Sequence, residues 1–480
     1  MTLWLVLSWS VARTIVIATL SVWISRGLLR QIEQTASASV RRMWLLSVMV
    51  PLIMPELVIG FTYRLTAQQL TDSVWGTELL YAVLVLVRSC AVCSLVRLLL
   101  SRSVVTQESI HSWRLLHRSN STAQWNHLKL LVTGPWRSAL VAWCLTALVA
   151  FQDFETAALV QVDRHPVVWT VWLFDANAGN QHLNHSLKLI LAPVLFELLL
   201  LIPGLLLIGR GDHRAMMAPT LILRPGEVRS RPLKTWIAFL VTLAGGVLMI
   251  GWPVIVSVPE LVSGFTVVSG DVQGILQQES TTFGFSVVAA MLAMSTAVLL
   301  RRGNNAVLTC ACLAPGLAGS LALSLTLLWM FQLPGIRWFW DTWLPLLIGQ
   351  SLFLLPRAWV LLFVLESVVS EESHKSAHLL LQGNRQHRLA AVRILWRLSH
   401  LKWLAAVTLL CHWCTWDVTT ASILRPVTIE PMVTRLYREM HFSRTESLTA
   451  LALITALVPI IVAALATLIW RWRMSQRVGS

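Results

Sequence analysis

The chain has 480 residues, of which 56% are hydrophobic and only 13% charged, with a mean hydropathy of +0.67. Soluble domains carry about a quarter charged residues, so the composition excludes an ordinary soluble enzyme or binding module and points to an all-α integral membrane protein. A net charge of +15 would suit a nucleic-acid binder, but the basic residues lie in short segments between apolar runs. The cytoplasmic excess of Lys and Arg in membrane proteins accounts for them, and no nucleic acid is expected as a partner.

A helix crossing the hydrocarbon core needs about 20 apolar residues. Eleven runs qualify, at about 3–25, 43–63, 78–100, 138–160, 187–209, 235–257, 283–301, 306–332, 342–368, 402–424 and 447–470. The first lacks the charged start and small-residue cleavage site of a secretory signal and reads as a retained membrane helix. Prolines within the runs, such as Pro51, Pro55, Pro193 and Pro315, are tolerated where neighbouring helices satisfy the freed backbone groups. One set of intervening loops (26–42, 101–137, 210–234, 301–305, 369–402 and 471–480) holds twenty-six Lys and Arg. The alternate set (64–77, 161–186, 258–282, 333–341 and 425–446) holds seven. The first set is expected in the cytoplasm. Trp75, Trp169, Trp172, Trp252, Trp338, Trp340, Trp470 and Trp472 fall where an interfacial belt would lie.

The seven cysteines all sit inside apolar runs. Cys90/Cys93 and Cys411/Cys414 have the C-x-x-C spacing of a metal or redox pair. No histidine pattern completes a ligand set, so they read as small buried side chains; neither a disulfide framework, a metal site nor a cofactor is expected.

The chain repeats itself. Residues 108–162 laid without gaps on 372–426 pair Glu108 with Glu372, Ser112 with Ser376, Leu115 with Leu379, Leu116 with Leu380, Asn120 with Asn384 and Asp153 with Asp417. The shared Asp-x-x-Thr-Ala inside an apolar run is the telling match. Arg88 and Arg357 fall mid-run in the preceding spans, and Pro55 and Pro315 in the spans before those. Two parallel pseudo-repeats follow, with five and six spans, related by an axis along the membrane normal. The first half is expected at 1–210, a Pro-, Gly- and Arg-rich cytoplasmic linker at 211–234 and the second half at 235–480.

At this point the residues resemble a known family. Type I permeases of ATP-binding-cassette importers carry a cytoplasmic coupling loop of the pattern Glu-Ala-Ala, three residues, Gly, then an Ile-x-Leu-Pro-like end. Here Ser376-Ala377-His378-Leu379-Leu380-Leu381-Gln382-Gly383 leads to Val392-Arg393-Ile394-Leu395, and Ser112-Trp113-Arg114-Leu115-Leu116-His117-Arg118 leads to Leu128-Lys129-Leu130-Leu131. Ser stands for the motif Glu in both copies, and the closing Pro is absent. The loop occurs twice, each time ahead of an Asp-containing span, so the chain resembles the fused, double-length permeases of ferric-iron and thiamine importers. The resemblance implies a permease subunit of the bacterial inner membrane. It implies as partners a cytoplasmic ATPase dimer, a periplasmic or extracellular solute-binding protein and the bilayer. It assigns the ATPase contact to Ser112, Leu115, Leu116, Arg118, Ser376, Ala377, Leu379, Leu380, Gly383, Arg385 and Arg388.

A charge at mid-bilayer costs about 2.5–3.5 kcal/mol even on the mild scale, so it has a partner or a wet cavity. Asp153, Glu155 and Asp417 lie deep in their runs. The repeat suggests the pairs Arg88–Asp153 and Arg357–Asp417, either locking helices or lining a path. Glu155, whose counterpart is Thr419, is the candidate substrate contact; Arg13, Glu56 and Glu197 are further mid-run charges without an expected role. No G-x-x-x-x-G-K-[ST], H-E-x-x-H or G-x-S-x-G motif occurs, so no catalytic set and no ATP hydrolysis by this chain are expected. The alternative is a self-contained secondary transporter with the membrane acids as ion sites.

Overall fold

The computed structural model describes the chain except for residues 1, 36, 74, 101–111, 113–120, 162–166, 179–182, 210–231, 304, 369–378, 380–400, 443 and 480. Every regular element among the described residues is helical. Six helical segments are long and apolar enough to cross a bilayer, and nine if each of three sharply bent helix pairs counts as one span. The protein is a multi-pass, all-α membrane protein.

The chain divides into two compact units, Met1–Ile255 and Val256–Ser480. The first unit begins with α1 (Leu3–Gln34), followed by α2 (Ala38–Ile53) and α3 (Glu56–Gln69), which meet at 78°. The long α4 (Gly76–Leu99) comes next, then α5 (Ser121–Thr133) and α6 (Arg137–Phe151), at 70° to each other, the short α7 (Glu155–Val160), α8 (Trp169–Ala178) and α9 (Leu183–Gly209). α1, α4 and α6 pack on one another, α9 covers α6, and α3 packs on α7. α10 (Pro232–Gly246) packs on α1, α2 and α4. The helix that opens the second half in sequence therefore belongs, by packing, to the first unit.

The second unit starts inside α11 (Trp252–Val268) and continues through α12 (Val272–Gly303). α13 (Ala306–Leu317) and α14 (Gly319–Phe331) follow, bent by 97° at Ala318. Then come α15 (Leu344–Val368), α16 (Leu401–Thr415), the short α17 (Val418–Leu424), α18 (Met432–His441) and α19 (Thr445–Gly479). α12, α15 and α16 pack on one another, α19 covers α16, and α14 packs on α17. Their core is built from small residues on α12 (Ala289, Ala290, Ala293 and Ala297) against Leu354, Ala358, Ala406 and Leu410. Small side chains let membrane helices approach closely, which is where their association energy comes from. The order of elements and their packing partners thus run in parallel through both units.

The structure differs from the sequence expectation in two ways. Segment 258–282, expected as a loop, is helical apart from a single 3₁₀ turn at Ser269–Asp271. Its residues Leu261, Val262, Val267, Val268 and Val272 are as apolar as a span, and Phe239–Gly303 forms 65 residues of nearly continuous helix. Secondly, four expected spans are interrupted: 43–63 at Met54–Pro55, 138–160 at Gln152–Phe154, 306–332 at Ala318 and 402–424 at Trp416–Asp417. Pro55 has no N–H to continue a helix, and Gly319 takes a positive φ of 83°, which glycine adopts at no steric cost.

Candidate functional site at two interrupted helices

Asp153 and Asp417, the acids of the shared Asp-x-x-Thr-Ala pattern, stand at equivalent places, between α6 and α7 and between α16 and α17. Asp417 is the N-cap of α17, and its carboxylate accepts the Thr420 N–H at 3.2 Å. Asp153 lies one residue before the cap of α7. At Asp417 the pattern is a capping device: a short acidic side chain satisfies a backbone donor that a helix start leaves free. A backbone break in a bilayer has to be satisfied by the protein itself. At the first break the Trp169 indole donates to Phe151 O (2.7 Å) and the Thr170 hydroxyl to Asp153 O (2.7 Å).

Each short helix that follows is tied to the first long helix of its unit. Ser10 Oγ on α1 accepts the Trp169 N–H at 3.1 Å, and Thr282 Oγ1 on α12 accepts the Met432 N–H at 2.8 Å. Both acids are buried, at 6% and 4% exposure, and in each the Oδ2 atom has no hydrogen-bond partner among the described residues.

The arginines are placed differently in the two units. Arg88 on α4 forms an ion pair with Glu56, the first residue of α3. Asp153 and Glu155 both lie within its electrostatic reach. The ion pair of Arg88 is thus with Glu56, where the sequence had suggested Asp153. Arg357 on α15 is an electrostatic neighbour of Asp417. It donates to Phe353 O at 2.9 Å and lies 3.8 Å over the Phe353 ring. Position 319, the first of α14, is a glycine, so the second unit has no acid where Glu56 stands in the first.

Two of the mid-run charges left without a role in the sequence, Arg13 and Glu197, have partners in the structure. Arg13 on α1 holds Glu78 on α4 through two bonds of 2.5 and 3.0 Å, with side chains 7% and 10% exposed. Gln161 donates to the same carboxylate at 3.2 Å and accepts the Val168 N–H at 2.8 Å. Glu197 on α9 accepts from Gln152 at 3.0 Å across the first break. The only sequence signal was their charge in mid-run, because spacing does not say which helix faces which.

Of the expected coupling residues, Ser112 and Leu379 are in helical conformation. Leu115, Leu116, Arg118, Ser376, Ala377, Leu380, Gly383, Arg385 and Arg388 lie outside the described residues. The C-x-x-C cysteines are buried and free: Ser25 Oγ contacts Cys93 Sγ at 3.1 Å and Cys411 Sγ donates to Ser286 O at 3.7 Å. Among the described residues no group of three His, Cys, Asp or Glu side chains is placed to hold a metal ion. No family model matches the chain, and no curated protein or solved structure is significantly similar to it.

Proposed function

We propose that the chain is the permease subunit of an ATP-binding-cassette importer, moving a small solute inward across the bacterial inner membrane. A separate cytoplasmic ATPase dimer supplies the energy and an external binding protein the cargo. The observation carrying the transport reading is the matched pair of interrupted helices, each with a buried aspartate at the break. Interrupted helices in transporters line the ligand path, since irregular backbone survives in a bilayer only inside protein or beside a wet cavity. Two such units in series are read as parallel repeats of five and six spans. Glu155, beside Asp153 and without an acidic counterpart, is the side chain assigned to the solute.

The assignment to the ATP-binding-cassette class rests on the resemblance of the duplicated loops at 112–131 and 376–396, and a ferric-iron- or thiamine-like solute on the same resemblance. The chain itself lacks a phosphate-binding loop, so it is a transporter subunit and not an enzyme. One observation favours a self-contained secondary transporter instead: Glu78, Asp153 and Glu197 are buried acids within the first unit. Purification from native membranes separates the two readings. A co-purifying ATPase with ATP-dependent uptake is expected. Uptake driven by a proton or sodium gradient, with no ATPase bound, would overturn the proposal. Within either reading, Glu155→Ala is expected to abolish uptake with normal membrane insertion, and unchanged uptake would remove Glu155 from the path.

A further inference from the structure

Arg88 is one cation among several acids placed at hinges. Glu56 begins α3 immediately after the 78° bend at Met54–Pro55, and Asp153 occupies the break between α6 and α7. Arg88 lies on the unbroken α4, which packs on both α3 and α7. Its ion pair is with Glu56, yet its Nε is buried with no hydrogen-bond partner among the described residues, and so is Oδ2 of Asp153. A guanidinium offers five donors, so this one retains capacity for a second carboxylate. Tyr81, fully buried on the same helix two turns earlier, is a further neighbour of Asp153, and Glu155 of Arg88.

We infer that Arg88 is a shared cation that exchanges between Glu56 and Asp153, so that the hinge before α3 and the hinge before α7 move as alternatives. A swing of α3 that withdraws Glu56 leaves a cation within a bilayer, which is costly unless another acid takes it. Asp153, at the next break and with one oxygen unpartnered among the described residues, is placed to do so. No acid begins α14, so the exchange belongs to the first unit. It is independent of what drives transport and goes beyond the reading of Glu155 as the solute contact.

The test is a double-substitution cycle on the full chain in lipid nanodiscs, read as the midpoint of thermal unfolding. Glu56→Gln and Asp153→Asn alone each leave Arg88 a partner and are expected to lower the midpoint slightly. Together they are expected to lower it by more than the sum of the two. Losses that simply add, or an Asp153→Asn substitution without effect in both backgrounds, would overturn the exchange. Should the double variant not fold, Glu56→Asp and Asp153→Glu, singly and combined, carry the same comparison. These keep the charge and shift each carboxylate by one methylene; a more-than-additive loss supports the exchange and additivity overturns it.

Discussion

Asp417 accepts the N–H of Thr420 from a position 4% exposed in a membrane-embedded unit, and this contact separates two roles for one acid. If the side chain matters as a cap, its charge is dispensable, since Asn caps helices as well as Asp. Asp417→Asn should then leave thermal stability in detergent nearly unchanged, whereas Asp417→Ala should cost about 1 kcal/mol. Equal losses in the two variants would mean that the charge, held near Arg357, is the larger contribution. Arg13 and Glu78 behave differently because each is the other's ion-pair partner. Removing one charge, as in Arg13→Ala, should destabilise by about 3–5 kcal/mol by leaving a buried carboxylate uncompensated. Replacing both by Met should cost much less, which unfolding in a denaturing detergent would register. The shared Asp-x-x-Thr-Ala pattern was legible in the sequence as a duplicated feature, but not as a cap, because capping exists only once the helix is known to break there. The Glu56 partner of Arg88 was illegible for a related reason. Which carboxylate meets an arginine across helices depends on their rotation, and sequence spacing constrains only contacts along one helix.

At the scale of elements, hydropathy located the apolar runs because a bilayer demands length and apolarity of any span. It did not show the four interruptions, since a run of Leu, Val and Ala reads the same whether straight or bent. Nor did it show that α11 and α12 continue through a segment expected to be a loop. The bends depend on close helix contacts that single glycines permit. A Cβ built at Gly316 on α13 would lie 2.1 Å from Leu352 O on α15, so the two helices touch backbone to backbone there. Gly316→Ala should force them apart and destabilise by about 1–3 kcal/mol, the cost of overpacking. Gly284 in α12 is the internal control, because a Cβ there meets nothing within 4 Å. Gly284→Ala should be neutral, or stabilising by up to about 1 kcal/mol through helix propensity. A Gly316→Ala protein as stable as the parent would show that α13 and α15 can separate without loss.

For the whole molecule, the decisive quantity is which loops share a side of the membrane. From twenty-six Lys and Arg in one set of expected loops against seven in the other, the sequence expectation is 369–402 in the cytoplasm and 425–446 outside. Between them lies only the interrupted pair α16 and α17. Fifteen and seven helical residues would reach about 33 Å if laid end to end at 1.5 Å per residue, against a core of about 30 Å, so labelling the two flanks decides whether the chain crosses here. Val427 is 92% exposed, which makes it a clean site for a labelled cysteine, while five of the seven native cysteines are buried. In intact cells a membrane-impermeant maleimide should label Val427→Cys, and His387→Cys only after permeabilisation. The opposite pattern would invert the protein and move both duplicated loops away from any cytoplasmic ATPase. Labelling of both from one side would turn α16 and α17 into a re-entrant hairpin. The expectation of two parallel repeats would fall with it, because α6 and α7 repeat the same interrupted pair around Asp153.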